Sequence, residues 1–256
     1  MVRGLYTAST GMVNQMARLD VISNNLANSD TTAYKKEGST SQAFDSVLAL
    51  KINDSSVHYI PQAVGHLSLG VKIGETYTDY SDGNLEETGN TLDVALAGNG
   101  FFAISYADRN GMESVRYTRD GNFAVSSDGT LMTKDGDFIL DENGDMINIP
   151  VGTEISINES GTIFASGQEV AHLQLVDFED YNYLKKFGEN MYIAIDGAVT
   201  KEADCKVYQG YLEASNVNVI NEMVEMITVS RDYESNQKII QSIDTTLEKA
   251  VNLGRV

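Results

Sequence analysis

The sequence predicts an α+β protein, with a central antiparallel β-rich domain flanked by N- and C-terminal helices that pair as a coiled-coil-like unit. Two observations carry this. Both ends of the chain show an apolar seam at alternating three- and four-residue spacing, while the middle shows short apolar runs punctuated by Asp-Gly and Asn-Gly turns. The expected division is a terminal helical assembly domain at 1–30 and 214–256, an extended linker subdomain at 31–79, and a β-rich domain at 80–213.

The C-terminal stretch 210–251 reads as one long helix without Pro or an interior Gly. From Val219, steps of four and three land on Met223, Met226, Ser230, Tyr233, Gln237, Ile240, Asp244, Leu247 and Val251, so seven of ten positions are apolar. Asn216 or Asn218 can cap the first turn, and Glu222 and Glu225 suit the positive end of its dipole. Such a helix would be roughly 50 Å long. One narrow seam of that length cannot be buried within itself, so a partner helix is required.

Residues 1–28 supply one. Leu5, Ala8, Met12, Gln15, Leu19, Ile22 and Leu26 form a second seam, six of seven apolar. Gly4 and Gly11 each weaken this helix by about 1 kcal/mol relative to Ala, and it is expected to fray when alone. Asn28 can take a left-handed cap before SDTTAYKK, which offers turn formers. Ser23, Asn24, Asn25 and Asn28 compete with the backbone for hydrogen bonds, so the cluster reads either as a fraying end or as amides that bond to a neighbouring chain.

Between 37 and 79 the sequence is irregular. AFDSVLAL is a helix or strand candidate, and His58 and His66 lack the Cys or spaced carboxylates of a metal site, so both are assigned surface or packing roles. From Asp82 the grain changes. Asp120-Gly121, Asp128-Gly129, Asp135-Gly136 and Asn143-Gly144 recur every seven to eight residues, which predicts a meander with tight turns. Its core is expected to continue through Ile155, Ile157, Ile163, Phe164, Leu173 and Leu175 to 192–195.

Composition narrows function. The net charge is −19, from 18 Lys/Arg and 37 Asp/Glu. The ends are near neutral (four basic against three acidic in 1–40, four against six in 215–256), so 41–214 carries ten against twenty-eight. An acidic exposed middle repels nucleic acid and anionic lipid, and no apolar run exceeds five residues, so neither nucleic acid binding nor membrane insertion is expected. The single Cys205 permits no intramolecular disulfide and is read as a small packed residue. The polar residues scattered through the first fifteen positions argue against a cleaved signal peptide.

Three chemical motifs are rejected on the sequence. Gly98, Gly100 and Ala103 match a dinucleotide fingerprint, but FFAIS follows where a helix must begin. DENGD at 141–145 resembles a calcium loop but has Met146 where Gly is required. The many carboxylates fall at turns and polar faces. No cofactor, metal site or catalytic residue is therefore expected. The rival class is a carbohydrate-active β enzyme with paired carboxylates, which would not need long seams at both ends; a binding module dimerising through its ends is a second alternative.

SNNLANSDTTAYKK resembles the N-terminal signature of the bacterial flagellar rod and hook proteins. DGNLEETGNTLDVALAGNGFF and YTRDGNFAVSSDGTL resemble that family's central motifs. GENMYI, YQGYLEASNVNV and MVEMITVSRDYESNQKII resemble its C-terminal region, and YQGYLEASNVNV is more similar to the distal than to the proximal rod branch. The resemblance implies a non-enzymatic structural subunit that polymerises with itself as a helical tube and contacts other rod and hook proteins. It further implies passage through the flagellar export apparatus. The expected assembly interface is Leu5, Met12, Leu19, Ile22, Asn24, Asn25, Leu26 and Asn28, with Met223, Met226, Tyr233, Ile240, Leu247 and Val251.

Overall fold

The computed structural model describes residues 2–51, 62–108, 113–150 and 152–254. His58 lies outside the described residues. The chain divides into two units: 1–27, 37–79 and 218–256 form one, and 28–36 with 80–217 the other.

In the first unit, α1 (Val2–Ala27) and α2 (Val219–Leu253) run antiparallel. Arg18 meets Glu225 at 2.8 Å, Gln15 meets Asp232 and Asn25 meets Glu222. Both glycines of α1 face α2: a Cβ added at Gly4 would lie 3.7 Å from Ile243, and one at Gly11 3.2 Å from the Asn236 amide. They let the backbones approach, which offsets part of their cost in helix propensity. Asn218 caps α2, its side chain accepting from the Asn221 N–H at 3.1 Å.

Residues 37–79 form two antiparallel strand pairs. Glu37–Ala43 pairs with Val71–Thr78, and Val47–Lys51 with Gln62–Leu67, so AFDSVLAL is largely strand and His66 is exposed. The first pair packs on α1, where the Asn14 amide donates to Ser41 Oγ at 2.9 Å. At Gly70 the backbone has φ +128°, and a Cβ there would fall 2.0 Å from Thr10 Oγ1.

The second unit is built on a nine-stranded sheet. Its main path runs Leu184–Phe187, Met191–Ala194, Glu113–Thr118, Phe101–Ala107, Phe138–Ile139, Leu131–Thr133 and Phe123–Val125, with Leu175–Phe178 also joined to Phe101–Ala107. The Phe101 to Ile104 half of Phe101–Ala107 is covered on both faces, which explains an unbroken FFAI. Phe102 and Ile104 enter a core with Val94, Leu96, Phe123, Leu131 and Ile163, while Phe101 joins Phe178, Leu184 and Tyr192 on the other side. Val94–Asn99 pairs with Asp204–Gln209, and Leu85–Glu87 with Tyr211–Glu213.

Three of the four expected tight turns occur, with positive φ at Gly129, Gly136 and Gly144. Gly121 differs: it is no hairpin turn, and its carbonyl accepts from the Val94 N–H where a Cβ would lie 1.5 Å from Val94 O. The motif there needs a residue without a side chain, not a left-handed one. Two further expectations are corrected. Ile195 is exposed. Asn28 does not take the left-handed conformation; Ala33 does, at φ 56°, while Asn28 receives the Thr31 N–H and hydroxyl.

Opposite outcomes are expected at two glycines. Gly4→Ala, with room for its methyl, should stabilise the full chain by about 0.5–1 kcal/mol, whereas Gly70→Ala should cost about 1–3 kcal/mol. Urea titrations followed by helical circular dichroism read both, and equal signs would contradict the packing around α1.

Candidate assembly site

The side chains that α2 turns towards α1 follow a three-then-four step from Val219. Glu222 and Val229 are buried, and Met226, Tyr233, Asn236, Ile240 and Ile243 half-buried. The four-then-three step therefore has the right period and the wrong phase at alternate positions: Met226, Tyr233 and Ile240 face α1, but Met223 is half exposed and Glu222 occupies its place. On α1, Ile22 is buried and Leu5, Met12, Leu19 and Leu26 are half-buried as expected. Leu247 and Val251 are exposed, on turns of α2 that extend beyond α1.

Glu222 was missed because a glutamate scores against a seam. Its burial is possible because Asn25, 1% exposed, donates to Glu222 Oε2 at 3.2 Å. Asn25 also pairs with the backbone of Glu37 in both directions, accepting its N–H at 2.9 Å and donating to its carbonyl at 2.8 Å. Within the chain the Asn25 side chain is engaged, joining α1, α2 and the first strand. Asn24 is exposed and Asn28 half-buried.

With the seam turned inward, a different face of α2 is left outward. Ile220, Met223, Val224 and Ile227 stand at i, i+3, i+4 and i+7, which is one helix face, and are exposed by 72%, 50%, 59% and 53%. An exposed apolar stripe on a charged helix is a candidate contact surface. On α1, Val13 and Met16 are likewise exposed.

The second unit contains a buried cluster of charges. Lys35 Nζ bonds Glu213 Oε1 at 2.5 Å and the Ser81 carbonyl at 2.7 Å. Arg119 donates to the carbonyls of Gly98 and Gly100, at 2.7 and 3.0 Å, and to Asp82 at 2.7 Å, and lies 3.5 Å from Glu213 Oε1. Gly83 N–H completes Glu213 Oε1 at 2.8 Å. Thus the Gly-x-Gly turn that mimics a nucleotide motif wraps a guanidinium. Burial holds the Lys35 ammonium below its usual range against the pull of Glu213; burial also opposes the Arg119 charge, but Glu213 and Asp82 overcome it and raise its pKa. The Lys35, Glu213 and Arg119 side chains are each 1% exposed, with Asp82 half exposed at the edge, so the cluster fastens distant segments. Removing one member of such a set costs about 3–5 kcal/mol. Asn216, expected as a helix cap, serves here instead, accepting the Lys36 N–H at 2.7 Å and donating to Ser81.

A helix pair made from both chain ends, an outward apolar stripe and a β unit held by buried charges define a structural assembly protein. Three family models match along the chain: Flagella basal body rod protein over 5–35, Flagellar hook protein FlgE/F/G D1 domain over 95–165, and Flagellar basal body rod FlgEFG protein C-terminal over 208–253. The chain is 34% identical to the flagellar basal-body rod protein FlgG of Buchnera aphidicola subsp. Schizaphis graminum, over 99% of this chain and 100% of that one. It is 34% identical to FlgG of Bacillus subtilis and 30% identical to the flagellar basal-body rod protein FlgF of Caulobacter vibrioides, each over 100% of both chains. The chain belongs to the flagellar basal-body rod protein family. Each matched segment contributes one charge to the buried cluster: Lys35, Arg119 and Glu213 in turn.

The place of Asn25 can be tested by charge. Asn25→Asp sets a carboxylate against Glu222 and removes both donated hydrogen bonds, at a cost of at least about 3 kcal/mol at neutral pH. Protonating either carboxylate relieves the repulsion, so the stability lost to it returns as pH falls. The gap in urea midpoint between variant and parent should therefore narrow from about pH 7.5 to about pH 5. A gap independent of pH would contradict the contact.

Proposed function

We propose that this chain is a structural subunit of the bacterial flagellar basal-body rod, polymerising with itself into a helical tube that carries torque from motor to hook. The observation that carries this reading is the exposed Ile220, Met223, Val224 and Ile227 face on a helix whose other apolar face is already covered by α1. A monomer gains nothing from such a stripe, whereas burying each side chain against another copy contributes roughly 1.5–3 kcal/mol. Met223, Leu247 and Val251, expected at the interface, are all available to it, and Asn24 lies exposed beside the end of α1.

The tube is extracytoplasmic, its neighbours are other rod and hook proteins, and the subunit reaches it through the flagellar export apparatus. Resemblance of YQGYLEASNVNV to the distal branch, with the 34% identity to two FlgG proteins beside 30% to a FlgF, favours the distal rod. A non-catalytic role is supported by how the perturbed groups are used. Asp177 is opposed by burial but held below the usual carboxylate range by Lys201, Tyr181 and the Phe178 N–H, and Tyr181 is pushed up to about 12 by burial and by Asp177. Both are engaged in holding strands together.

Met223→Asp should separate folding from assembly. With Met223 half exposed, the full chain should keep its helical circular dichroism, while a deletion strain carrying the variant should be non-motile and show no complete rods by electron microscopy. Normal rods built from Met223→Asp subunits would contradict the proposal.

A further inference from the structure

The first unit carries a second apolar exposure, distinct from the α2 stripe. Tyr6 on α1 and Phe44, Val47 and Leu69 on the adjoining strands and loops line a groove of about 520 Å³, with Arg3 and Asp45 at its rim. All four apolar side chains are more than a third exposed. The groove is open and almost wholly apolar, without the convergent polar groups by which a small-molecule site fixes its ligand. Its shape suits aliphatic side chains delivered by another protein surface.

Groove and stripe lie at opposite ends of the helix pair. Tyr6 is two residues from Gly4, which packs beside Ile243, and Ile243 is twenty residues along α2 from Met223. At about 1.5 Å per residue the two patches are roughly 30 Å apart. No chain can therefore place its own stripe in its own groove, since α2 is a single uninterrupted helix. Charge agrees with a match between copies. Arg231 follows Ile227 by one turn on the striped face, and Asp45 stands at the groove rim; among the described residues neither forms an ion pair.

We propose that the Tyr6, Phe44, Val47 and Leu69 groove is the acceptor for the Ile220, Met223, Val224 and Ile227 stripe of a second copy of this chain, with Arg231 of the donor set against Asp45. The inference rests on the rod reading and adds to it a donor, an acceptor and a direction. A donor at one end and an acceptor at the other leave one of each free after every contact, so the contact is head-to-tail and does not close. The charged pair fixes which way the donor helix lies in the groove and discriminates against a reversed docking.

The test uses full chains in a Cys205→Ala background, so that each copy carries one engineered thiol. Copies with Leu69→Cys and copies with Met223→Cys are co-expressed in a strain lacking the native chain, and isolated basal bodies are oxidised. The proposal expects a reducible dimer containing one copy of each kind, absent when Val115→Cys replaces Met223→Cys. Assembled rods in which Met223→Cys copies link only to one another, or to nothing, would overturn the groove while leaving the rod assignment intact. Absence of the chain from basal bodies in the Cys205→Ala background would instead overturn the rod assignment. Should Leu69→Cys copies fail to assemble, Val47→Cys takes their place, and failure of the mixed link with both counts against the groove.

Discussion

The antiparallel pairing of the two chain ends is the constraint on which the rest of this structure depends. A 35-residue helix with a narrow apolar stripe has no stable existence in water by itself, and neither does a helix that contains Gly4 and Gly11. Each supplies the other's missing surface. Because the partners are the first and last segments of the chain, everything between them must leave and return, and a β unit can be carried in the middle without disturbing the seam. The same pairing decides what remains outside. Once Glu222, Met226 and Val229 turn towards α1, the 220, 223, 224 and 227 positions must face away.

Buried polar groups, not extra apolar area, specify how the pieces register. Asn25 could slide along a purely aliphatic seam; tied to Glu222 on α2 and to both backbone groups of Glu37, it fixes one alignment of helix, helix and strand. In the β unit the Lys35, Arg119, Glu213 and Asp82 cluster plays the corresponding part, because an unpaired charge in that position is costly. The motifs through which the sequence resembles flagellar proteins are largely these fastenings: the amide of NNLAN, the lysine of AYKK, the arginine of YTRDG and the glutamate of YLEAS. They hold distant segments of the chain in register, and the exposed apolar faces are where we propose that copies meet.

Much of this was legible in the residues. The two helices, the strand-rich middle and the Asn-Gly and Asp-Gly turns followed from periodicity and turn chemistry. The phase of the α2 seam did not, although the three-then-four step from Val219 passes through Met226, Val229, Tyr233, Ile240, Ile243, Leu247 and Ala250 as well as Glu222 and Asn236. A binary apolar-polar reading rejects Glu222, and only the distant Asn25 explains its burial. Gly121 shows the same limit: Asp-Gly signals a turn locally, yet the glycine is required by Val94, from another part of the chain. The Glu37–Ala43 and Val71–Thr78 pair was obscure because most of its residues are exposed and alternation of burial is confined to the start of Val71–Thr78. Lys35, Arg119 and Glu213 could have been suspected only from lying inside the recognised motifs.

Hydrogen exchange on dilute full-length monomer addresses the pairing itself. The account predicts slow exchange through the facing stretches of both helices, around Ala8 to Asn25 and Glu222 to Ile240, with Asn25→Asp accelerating both together. Exchange of both helices at the rate of unstructured peptide in the monomer, with protection arising only on polymerisation, would contradict it.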